Sequence, residues 1–365
     1  MNFFAKSALA ASLFCTMLAG SAPAYSEELP RVLILATGGT IAGVAKENSA
    51  TGYDAGKIKA EDLVNAVPQI SKLANCDVEQ FCNIASQDMT CDLWVRLSKR
   101  VNDALTKQHY DGVVITHGSD TMEETAFFLE NTVERDNPVV FVGSMRPATA
   151  ISPDGPANLY YAVKIASAPE SHNRGVLVTM CGNIFESRDI YKSNINSLDP
   201  YSSRYNGPVG RVDEGAVRYY SAPIYGERPY WGLPADAVLP KVDIVHAYAG
   251  YDGDSIDAAV EHGARGIVIA GVGNGNMSKE CIEAVKRAVS KGVKVVRSSR
   301  VVSGFVHRNH EVSDDELGTL ASYDLSPEHA RILLQLLIYH LDNGPRQNYQ
   351  LDLQKCFENG YFVKH

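Results

Sequence analysis

Hydroxyl-bearing residues stand directly after two short apolar runs of this sequence, where they could act as nucleophiles or bind a ligand. Thr40 follows the glycine pair Gly38–Gly39 at the end of the run Val32–Ala36. Ser119 and Asp120 follow a second such run. Two adjacent glycines let the backbone turn sharply and approach a ligand closely. A threonine or serine hydroxyl becomes a nucleophile once a neighbouring group can remove its proton.

Each of these side chains also has a purely structural interpretation. Thr40 could cap the segment that follows it, and Ser119 or Asp120 could cap a helix beginning at Thr121. Lys192, in a polar segment further along the chain, could be an ordinary surface charge. If the strand order brings Lys192 beside Ser119, however, the lysine could ease deprotonation of the hydroxyl. The local pattern leaves these alternatives open.

Two further polar segments suggest ligand binding but do not fit a metal or dinucleotide site. His307, His310 and Glu311 lie in a segment typical of a loop, whereas a zinc site needs a helical frame and a third ligand. The segment Ala270–Asn276 is rich in glycine, but Asn276 stands where a dinucleotide loop has its last glycine. We therefore predict no metal and no nucleotide cofactor.

The elements that must position these residues are short apolar runs that alternate with helical patterns. Runs that are apolar at every position indicate strands buried on both faces, as in a parallel sheet covered by helices. The predicted strands are Val32–Ala36, Gly112–Thr116, Val139–Val142, Gly175–Met180, Val242–Tyr248, Gly266–Ala270 and Val293–Val296. The predicted helices are Thr121–Glu134, Asn158–Ala168, Ser255–His262, Ser278–Lys291 and Pro327–Leu341. The alternation predicts an α/β fold, in which ligands bind beyond the carboxyl ends of the strands.

The domain organisation follows from the places where this alternation stops. Lys6, an apolar stretch and the sequence Ala22-Pro23-Ala24 are typical of a cleavable signal peptide. The segment Tyr201–Pro240 is rich in Tyr, Pro and Gly, and we interpret it as a hairpin plus a connector. We predict a signal peptide at 1–24, a larger N-terminal parallel-sheet domain with helices on both faces at 25–222, a linker at 223–241 and a smaller C-terminal α/β domain at 242–365.

Composition and charge exclude several classes of protein. The chain has 365 residues, of which 45% are hydrophobic and 21% charged, and its formal net charge is −9. Phosphate binding requires a basic face, which this acidic balance of charges does not favour, so we expect no nucleic-acid partner. For the same reason we expect no binding to an anionic membrane surface. We expect an exported, periplasmic protein whose partner is a small polar ligand.

Cysteines bear on the redox chemistry of an exported chain, where disulfides are permitted. Six of the seven cysteines follow the predicted signal peptide, and no spacing resembles a zinc or redox motif. Cys76 and Cys82 are the first candidates for a local disulfide. We expect most of the remaining cysteines to be small buried hydrophobic residues.

Four blocks of the sequence resemble those of the bacterial type II, exported L-asparaginases and the related glutaminase-asparaginases. They are ILATGGTIAG at Ile34–Gly43, ASQDM at Ala85–Met89, VITHGSDTMEETAFFL at Val114–Leu129 and VVRSSRV at Val295–Val301. The resemblance extends from about Arg31 to Leu341. It implies a homotetramer with active sites shared between subunits and no metal or organic cofactor. The implied reaction is hydrolysis of the side-chain amide of L-asparagine to L-aspartate and ammonia.

The same resemblance implies catalytic roles for five residues. Thr40 matches the family nucleophile, and Tyr53 matches the tyrosine of a mobile lid. Ser119, Asp120 and Lys192 match a second catalytic cluster.

The resemblance also implies how the substrate is held. Ser86, Gln87 and Asp120 match residues that bind its α-carboxylate and α-amino groups. Ser119, next to Asp120, is also assigned to substrate binding. Asn276 and Glu311 match residues that the neighbouring subunit places near the α-amino group.

The route of the Thr40 proton remains open between two pairs. Tyr53 with Glu311 could remove it, and so could Ser119 with Lys192. Backbone N–H groups near Gly39 and Ser119 could bind the carboxylate or the developing oxyanion.

Two departures within the motifs bear on activity and substrate. The family usually has threonine where this chain has Ser119, so the hydroxyl is kept while the β-methyl that restricts χ1 is absent. Ser86–Asp88 is typical of asparaginase-preferring members, whereas Gly304–Glu311 resembles the glutaminase-asparaginases. One methylene changes the free energy of discrimination by only about 1–3 kcal/mol, so we expect an asparaginase with some glutaminase activity. The alternative is a glutaminase-asparaginase that hydrolyses L-glutamine at a comparable rate. A non-catalytic periplasmic amino-acid binder is the alternative of a different class.

Overall fold

The computed structural model describes residues 28–46, 52–134, 136–222, 232–344 and 352–359. The predicted signal peptide at 1–24 and residues 223–231 of the predicted linker lie outside these ranges. For Tyr53 the backbone is described and the side chain is not. None of the helices in these ranges has the length and apolar character needed to cross a bilayer.

The described residues form short strands and helices in alternation. The strands are β1 (Arg31–Gly38), β2 (Val44–Ala45), β3 (Tyr53–Asp54), β4 (Asn75–Ile84), β5 (Gly112–Thr116), β6 (Val139–Val142), β7 (Val176–Met180), β8 (Asn183–Glu186), β9 (Ile190–Lys192), β10 (Tyr201–Ser203), β11 (Gly210–Val212), β12 (Val217–Tyr219), β13 (Val242–His246), β14 (Gly266–Gly271), β15 (Lys294–Ser299) and β16 (Leu320–Ala321). The helices are α1 (Ala60–Asn65), α2 (Cys91–Thr106), α3 (Met122–Thr132), α4 (Gly155–Ala166), α5 (Asp254–Glu261), α6 (Lys279–Ser290), α7 (Asp314–Leu317), α8 (Pro327–Asn343) and α9 (Leu353–Asn359).

The larger sheet has the strand order β12-β11-β8-β7-β6-β5-β1-β4. Neighbouring strands from β4 to β7 run parallel, and the pairs β7–β8, β8–β11 and β11–β12 are antiparallel. Within the predicted connector, β11 and β12 form a hairpin that extends this sheet. The parallel part is the sheet predicted from the continuous apolar runs.

Helices cover both faces of this sheet, as the side chains of β1 show. Leu33 and Leu35 belong to one core cluster, which includes buried residues of α2 and α3. Val32 and Ile34 belong to the other, which includes buried residues of α1 and α4. Because both faces are buried, the strand must be apolar at every position, and each such side chain contributes about 1.5–3 kcal/mol.

The smaller sheet has the order β13-β14-β15-β16, and all of its strands run parallel. One face packs on α5 and α6, and the other packs on α8. Phe127 and Phe128 of α3 share a core cluster with Leu333 and Leu337 of α8, so apolar packing continues from one sheet to the other. The predicted fold class, a larger and a smaller α/β unit, is confirmed.

Strand β4 was not predicted, and it corrects the expectation of a local disulfide. Its residues alternate between exposed and half-buried, so the strand lacks the continuous apolar signal of its neighbours. Cys76 and Cys82 both lie on it, and six residues of extended chain span about 20 Å. A disulfide needs Cα atoms about 4.4–6.8 Å apart, so this predicted pair is wrong. Of the six cysteines in the described residues, only Cys281 and Cys356 are buried, so the expectation that most cysteines are small buried hydrophobic residues is also wrong.

Candidate active site

Three adjacent strands bring the predicted site residues to one edge of the larger sheet. β1 lies between β4 and β5, and all three run parallel. Their carboxyl ends lead to Thr40, to Ser86 and Gln87, and to Ser119 and Asp120. The topology therefore gathers these five residues where an α/β sheet ordinarily binds its ligand.

The glycines between the strands and the site allow the loops to touch. Gly39 has a φ of 78°, and a Cβ on it would lie 2.4 Å from the Gly118 nitrogen. A Cβ on Gly118 would in turn lie 2.8 Å from Ser86 Oγ. The Gly39 N–H donates to the carbonyl of Ile84 at 2.9 Å. That N–H therefore joins the two loops, and the binding of a carboxylate or an oxyanion by N–H groups near Gly39 stays a prediction.

The capping interpretations of the candidate residues do not match the structure. Gly39 precedes the short 3₁₀ turn that begins at Thr40, without a side-chain cap. Helix α3 has Thr121 as its N-cap, so neither Ser119 nor Asp120 occupies that position.

Lys192 lies beside Ser119 and Asp120, although it is more than seventy residues away along the chain. Its Nζ donates to Ser119 Oγ at 2.8 Å and to Asp120 Oδ1 at 2.6 Å. Tyr201, opposite Lys192 in the β9–β10 pair, donates from its hydroxyl to the Ser119 carbonyl at 2.7 Å. The interpretation of Lys192 as a solvated surface charge is wrong, since its side chain is 15% exposed.

Glu123 is a neighbour of the site that the sequence patterns missed. Its carboxyl accepts the backbone N–H of Lys192. Burial raises the pKa of Glu123 to about 8, although the hydrogen bond from the Lys192 N–H lowers it; the charges of Glu328 and Glu124 raise it further and that of Arg204 lowers it. A glutamate in the first turn of a helix is ordinarily explained by the helix dipole, so no sequence signal marks this role.

Two cavities meet at the nucleophile candidate. The first has a volume of about 470 Å³, and Ser86 and Gln87 are among its lining residues. The second has a volume of about 750 Å³ and is lined in part by Lys192. Thr40, Ser119 and Asp120 line both cavities. A ligand can therefore bind in the first cavity and present a group to Thr40 at the junction.

Asn276 and Glu311 form a separate pair in the C-terminal part of the chain. The Asn276 side-chain amide donates to the Glu311 carboxylate, and neither residue lines the two cavities around Thr40. Tyr53 is placed only by its backbone, which pairs with Ala45 in the β2–β3 ribbon.

A buried ion pair holds the segments that carry Asn276 and Glu311. Arg297 and Asp314 are both 0% exposed and bond through both carboxylate oxygens, at 2.7 and 2.6 Å. Arg297 also donates to the carbonyls of Asn274 and His307, which belong to the two segments. Within the described ranges, no group of three or more His, Cys, Asp or Glu is arranged to hold a metal ion.

Family models match the chain on both sides of the predicted linker. The model described as asparaginase, N-terminal, matches residues 31–225, and the model described as glutaminase/asparaginase C-terminal domain matches residues 241–347. The chain belongs to the asparaginase family. The family predicted from the motifs is therefore confirmed.

Individual relatives are similar over most of their length. L-asparaginase 2 of Escherichia coli strain K12 is 45% identical over 93% of this chain and 95% of its own. A probable periplasmic L-asparaginase of Haemophilus influenzae is 42% identical over 89% and 93%. A glutaminase-asparaginase of Acinetobacter glutaminasificans is 42% identical over 84% and 94%. The crystal structure of a probable cytoplasmic L-asparaginase from Campylobacter jejuni matches with a TM-score of 0.81 and 41% identity, over 90% of this chain and 99% of that one.

Proposed function

We propose that this chain is an L-asparaginase that hydrolyses the side-chain amide of L-asparagine to L-aspartate and ammonia, with Thr40 as the nucleophile. The enzyme class follows from the family and from relatives that carry that name. The observation that supports the proposed residues is the contact of Lys192 Nζ with Ser119 and Asp120, beside a cavity that Thr40 lines.

The substrate is held by its charged α-groups in the first cavity. Asp120 supplies a carboxylate for the α-ammonium group, and its partial exposure leaves it accessible while it also binds Lys192. Ser86 Oγ accepts the backbone N–H of Asp120 at 3.3 Å and can donate its own proton to the α-carboxylate. The Gln87 amide adds a second donor from the same loop. This arrangement places the side-chain amide at the junction with the second cavity.

The chemistry proceeds through a threonyl ester. Thr40 Oγ bonds to the amide carbon, the C–N bond breaks, and the Thr40 proton passes through the Ser119 hydroxyl to the leaving nitrogen, which departs as ammonia. Water then attacks the ester, restores the threonine hydroxyl and releases L-aspartate. Lys192 forms an ion pair with Asp120, and its positive charge stabilises negative charge on Ser119 Oγ during the transfer.

Tyr53 with Glu311 is the other route for the Thr40 proton. A Tyr53→Phe variant separates the routes because it keeps the ring and removes the proton acceptor. Transfer through Ser119 predicts that kcat of Tyr53→Phe stays within about tenfold of wild type, whereas transfer through Tyr53 predicts a loss of about 10²-fold or more.

We also propose that the enzyme is a homotetramer whose subunits share their sites. The support is the position of the Asn276–Glu311 pair, which lies apart from the cavities of its own chain. Light scattering of the purified protein tests the assembly.

Export to the periplasm is a second proposal about the whole protein. It is supported by the sequence pattern at 1–24 and by the name of the Haemophilus influenzae relative, while the Campylobacter jejuni relative is named cytoplasmic. Cell fractionation with N-terminal sequencing tests it.

Limited proteolysis tests the predicted domains 25–222 and 242–365 and the linker 223–241.

Ammonia release from L-asparagine and from L-glutamine tests the proposed function. Wild type should release ammonia faster from L-asparagine, and Thr40→Ala should lose about 10³-fold or more in kcat. Thr106→Ala, at the end of α2, is the matched control and should keep full activity. Equal rates with both substrates would indicate a glutaminase-asparaginase and assign the specificity to Gly304–Glu311. Binding of L-asparagine without ammonia release would indicate the non-catalytic binder.

A further inference from the structure

The strand that carries Lys192 has little support of its own. β9 has three residues and pairs with β10 in a separate two-stranded sheet. A two-stranded ribbon is marginally stable by itself in water. The position of Lys192 therefore depends on contacts outside the ribbon. Its own N–H bonds the Glu123 carboxyl and Ile190 of β9 is 1% exposed, while the turn that precedes β9 supplies further contacts.

Arg188, in that turn, is clamped by the C-terminal part of the chain. It is 4% exposed, and its guanidinium donates to both carboxylate oxygens of Asp324, at 2.6 and 2.7 Å. It also donates to the backbone carbonyl of Asn359 at 2.9 Å. The carbonyl of Arg188 lies 3.0 Å from His329 Nδ1 on α8. Burial lowers the pKa of His329 to about 3, so the neutral ring donates this hydrogen bond.

The partners of Arg188 are themselves firmly placed. Asp324 lies between β16 and α8, and Asn359 is the last residue of α9. Phe357 of α9 is fully buried, and the Gln354 amide bonds both the N–H and the carbonyl of Ala321 in β16, each at 3.1 Å. α9 lies beyond residues 241–347, which the C-terminal family model matches. The guanidinium thus joins the turn before β9 to a fixed frame.

The next residue connects the same turn to β10. Asp189 accepts hydrogen bonds from the Ser203 hydroxyl and from the backbone N–H of Arg204, the latter at 3.0 Å. The turn is consequently anchored on one side by Arg188 and on the other by the partner strand. Between Arg188 and Lys192 only a short extended segment remains, so displacement of the turn carries over to the lysine.

We propose that Arg188 is a positioning residue, which uses its paired contact with Asp324 to place Lys192 against Ser119 and Asp120. The inference rests on the proposed function, because it requires Lys192 to act in amide hydrolysis. The guanidinium uses two nitrogens, Nη2 for both oxygens of Asp324 and Nη1 for the Asn359 carbonyl, and so fixes its own orientation, whereas lysine at the same place keeps only the charge. Misplacement of a catalytic group by about 1 Å can cost about 10²-fold in rate.

The test is a double-variant cycle in the full-length protein, with kcat and KM measured per folded molecule. Arg188→Lys should lower kcat by about 10–100-fold and change KM by less than about threefold, because the substrate-binding residues Ser86, Gln87 and Asp120 all follow other strands, β4 and β5. In a Lys192→Met background, Arg188→Lys should have almost no further effect on kcat, because the ammonium group that Arg188 positions is already absent. If Arg188→Lys lowers kcat by the same factor in wild type and in Lys192→Met, the inference is overturned.

Arg100→Lys is the matched control, because Arg100 also donates from one nitrogen to both carboxylate oxygens of its partner, Glu79. It should keep wild-type kcat, and a loss equal to that of Arg188→Lys would overturn the inference. If Arg188→Lys does not fold, Asp324→Asn takes its place in the cycle, because it removes the counter-ion of Arg188, and the same comparison of kcat is made. Failure of the proposed function has a different signature, in which Lys192→Met alone retains wild-type kcat.

Discussion

Replacing Glu123 by glutamine removes an ionisable group and keeps the size of the side chain and an oxygen that accepts the Lys192 N–H. Because burial raises the pKa of Glu123 from 4.5 to about 8, the folded protein favours the protonated carboxyl. The stability contributed by this form is fully present below pH 4.5 and is lost as the pH rises towards 8. At about 1.4 kcal/mol per pKa unit, the upper limit of the loss is about 5 kcal/mol.

The midpoint of thermal unfolding, Tm, measures this difference. Even about 1 kcal/mol shifts Tm by about 2 °C in a protein of this size. We expect the Tm of Glu123→Gln to equal that of wild type near pH 4.5 and to exceed it increasingly up to pH 8–9. Glu283→Gln, at an exposed glutamate paired with Lys286, is the control and should show no such trend. A Tm difference between Glu123→Gln and wild type that is independent of pH would refute the reasoning.

Three further predictions concern the site around Thr40 and the buried ion pair in the C-terminal part of the chain. Lys192→Met should lower kcat by about 10²–10⁴-fold, while the free energy of unfolding, measured in urea, changes by about 1 kcal/mol or less, because Asp120 is 61% exposed. Ser119→Thr should stay active within about tenfold in ammonia release, because it keeps the hydroxyl, and an inactive folded variant would contradict this. Arg297→Met should lower the free energy of unfolding by about 3–5 kcal/mol, because it leaves the Asp314 carboxylate buried without its partner. Adding Asp314→Asn should restore part of that loss in the same urea experiment.

The elements predicted from the sequence were those buried on both sides. The apolar runs at β1, β5, β6 and β7 were predicted within two residues of their bounds, because burial on both faces demands apolar residues at every position. β4 was missed, since half of such an edge strand faces solvent and its residues carry no continuous apolar signal. The loop before Ser86 could therefore not be placed at the sheet edge from local pattern alone.

The site divides in the same way between local and long-range information. The chemistry of Thr40 and Ser119 could be predicted, because glycines and hydroxyls directly after a buried strand form a local pattern. The resemblance to asparaginases supplied Ser86, Gln87 and Lys192 as candidates. The burial of Glu123 could not be predicted, because it depends on chain segments that are distant in sequence.

Residue types and their spacing were enough to predict the α/β class, the strands buried on both faces, the residues at the strand ends and the family. The contact of Lys192 with Ser119 and Asp120, and the separate position of Asn276 and Glu311, became known only from the folded chain. The physical reason is that hydrophobic pattern reports whether each residue is buried, whereas strand order and side-chain contacts join residues far apart in the chain. Contacts such as Arg188 with Asp324, separated by 136 positions, exist only once the two sheets have packed together.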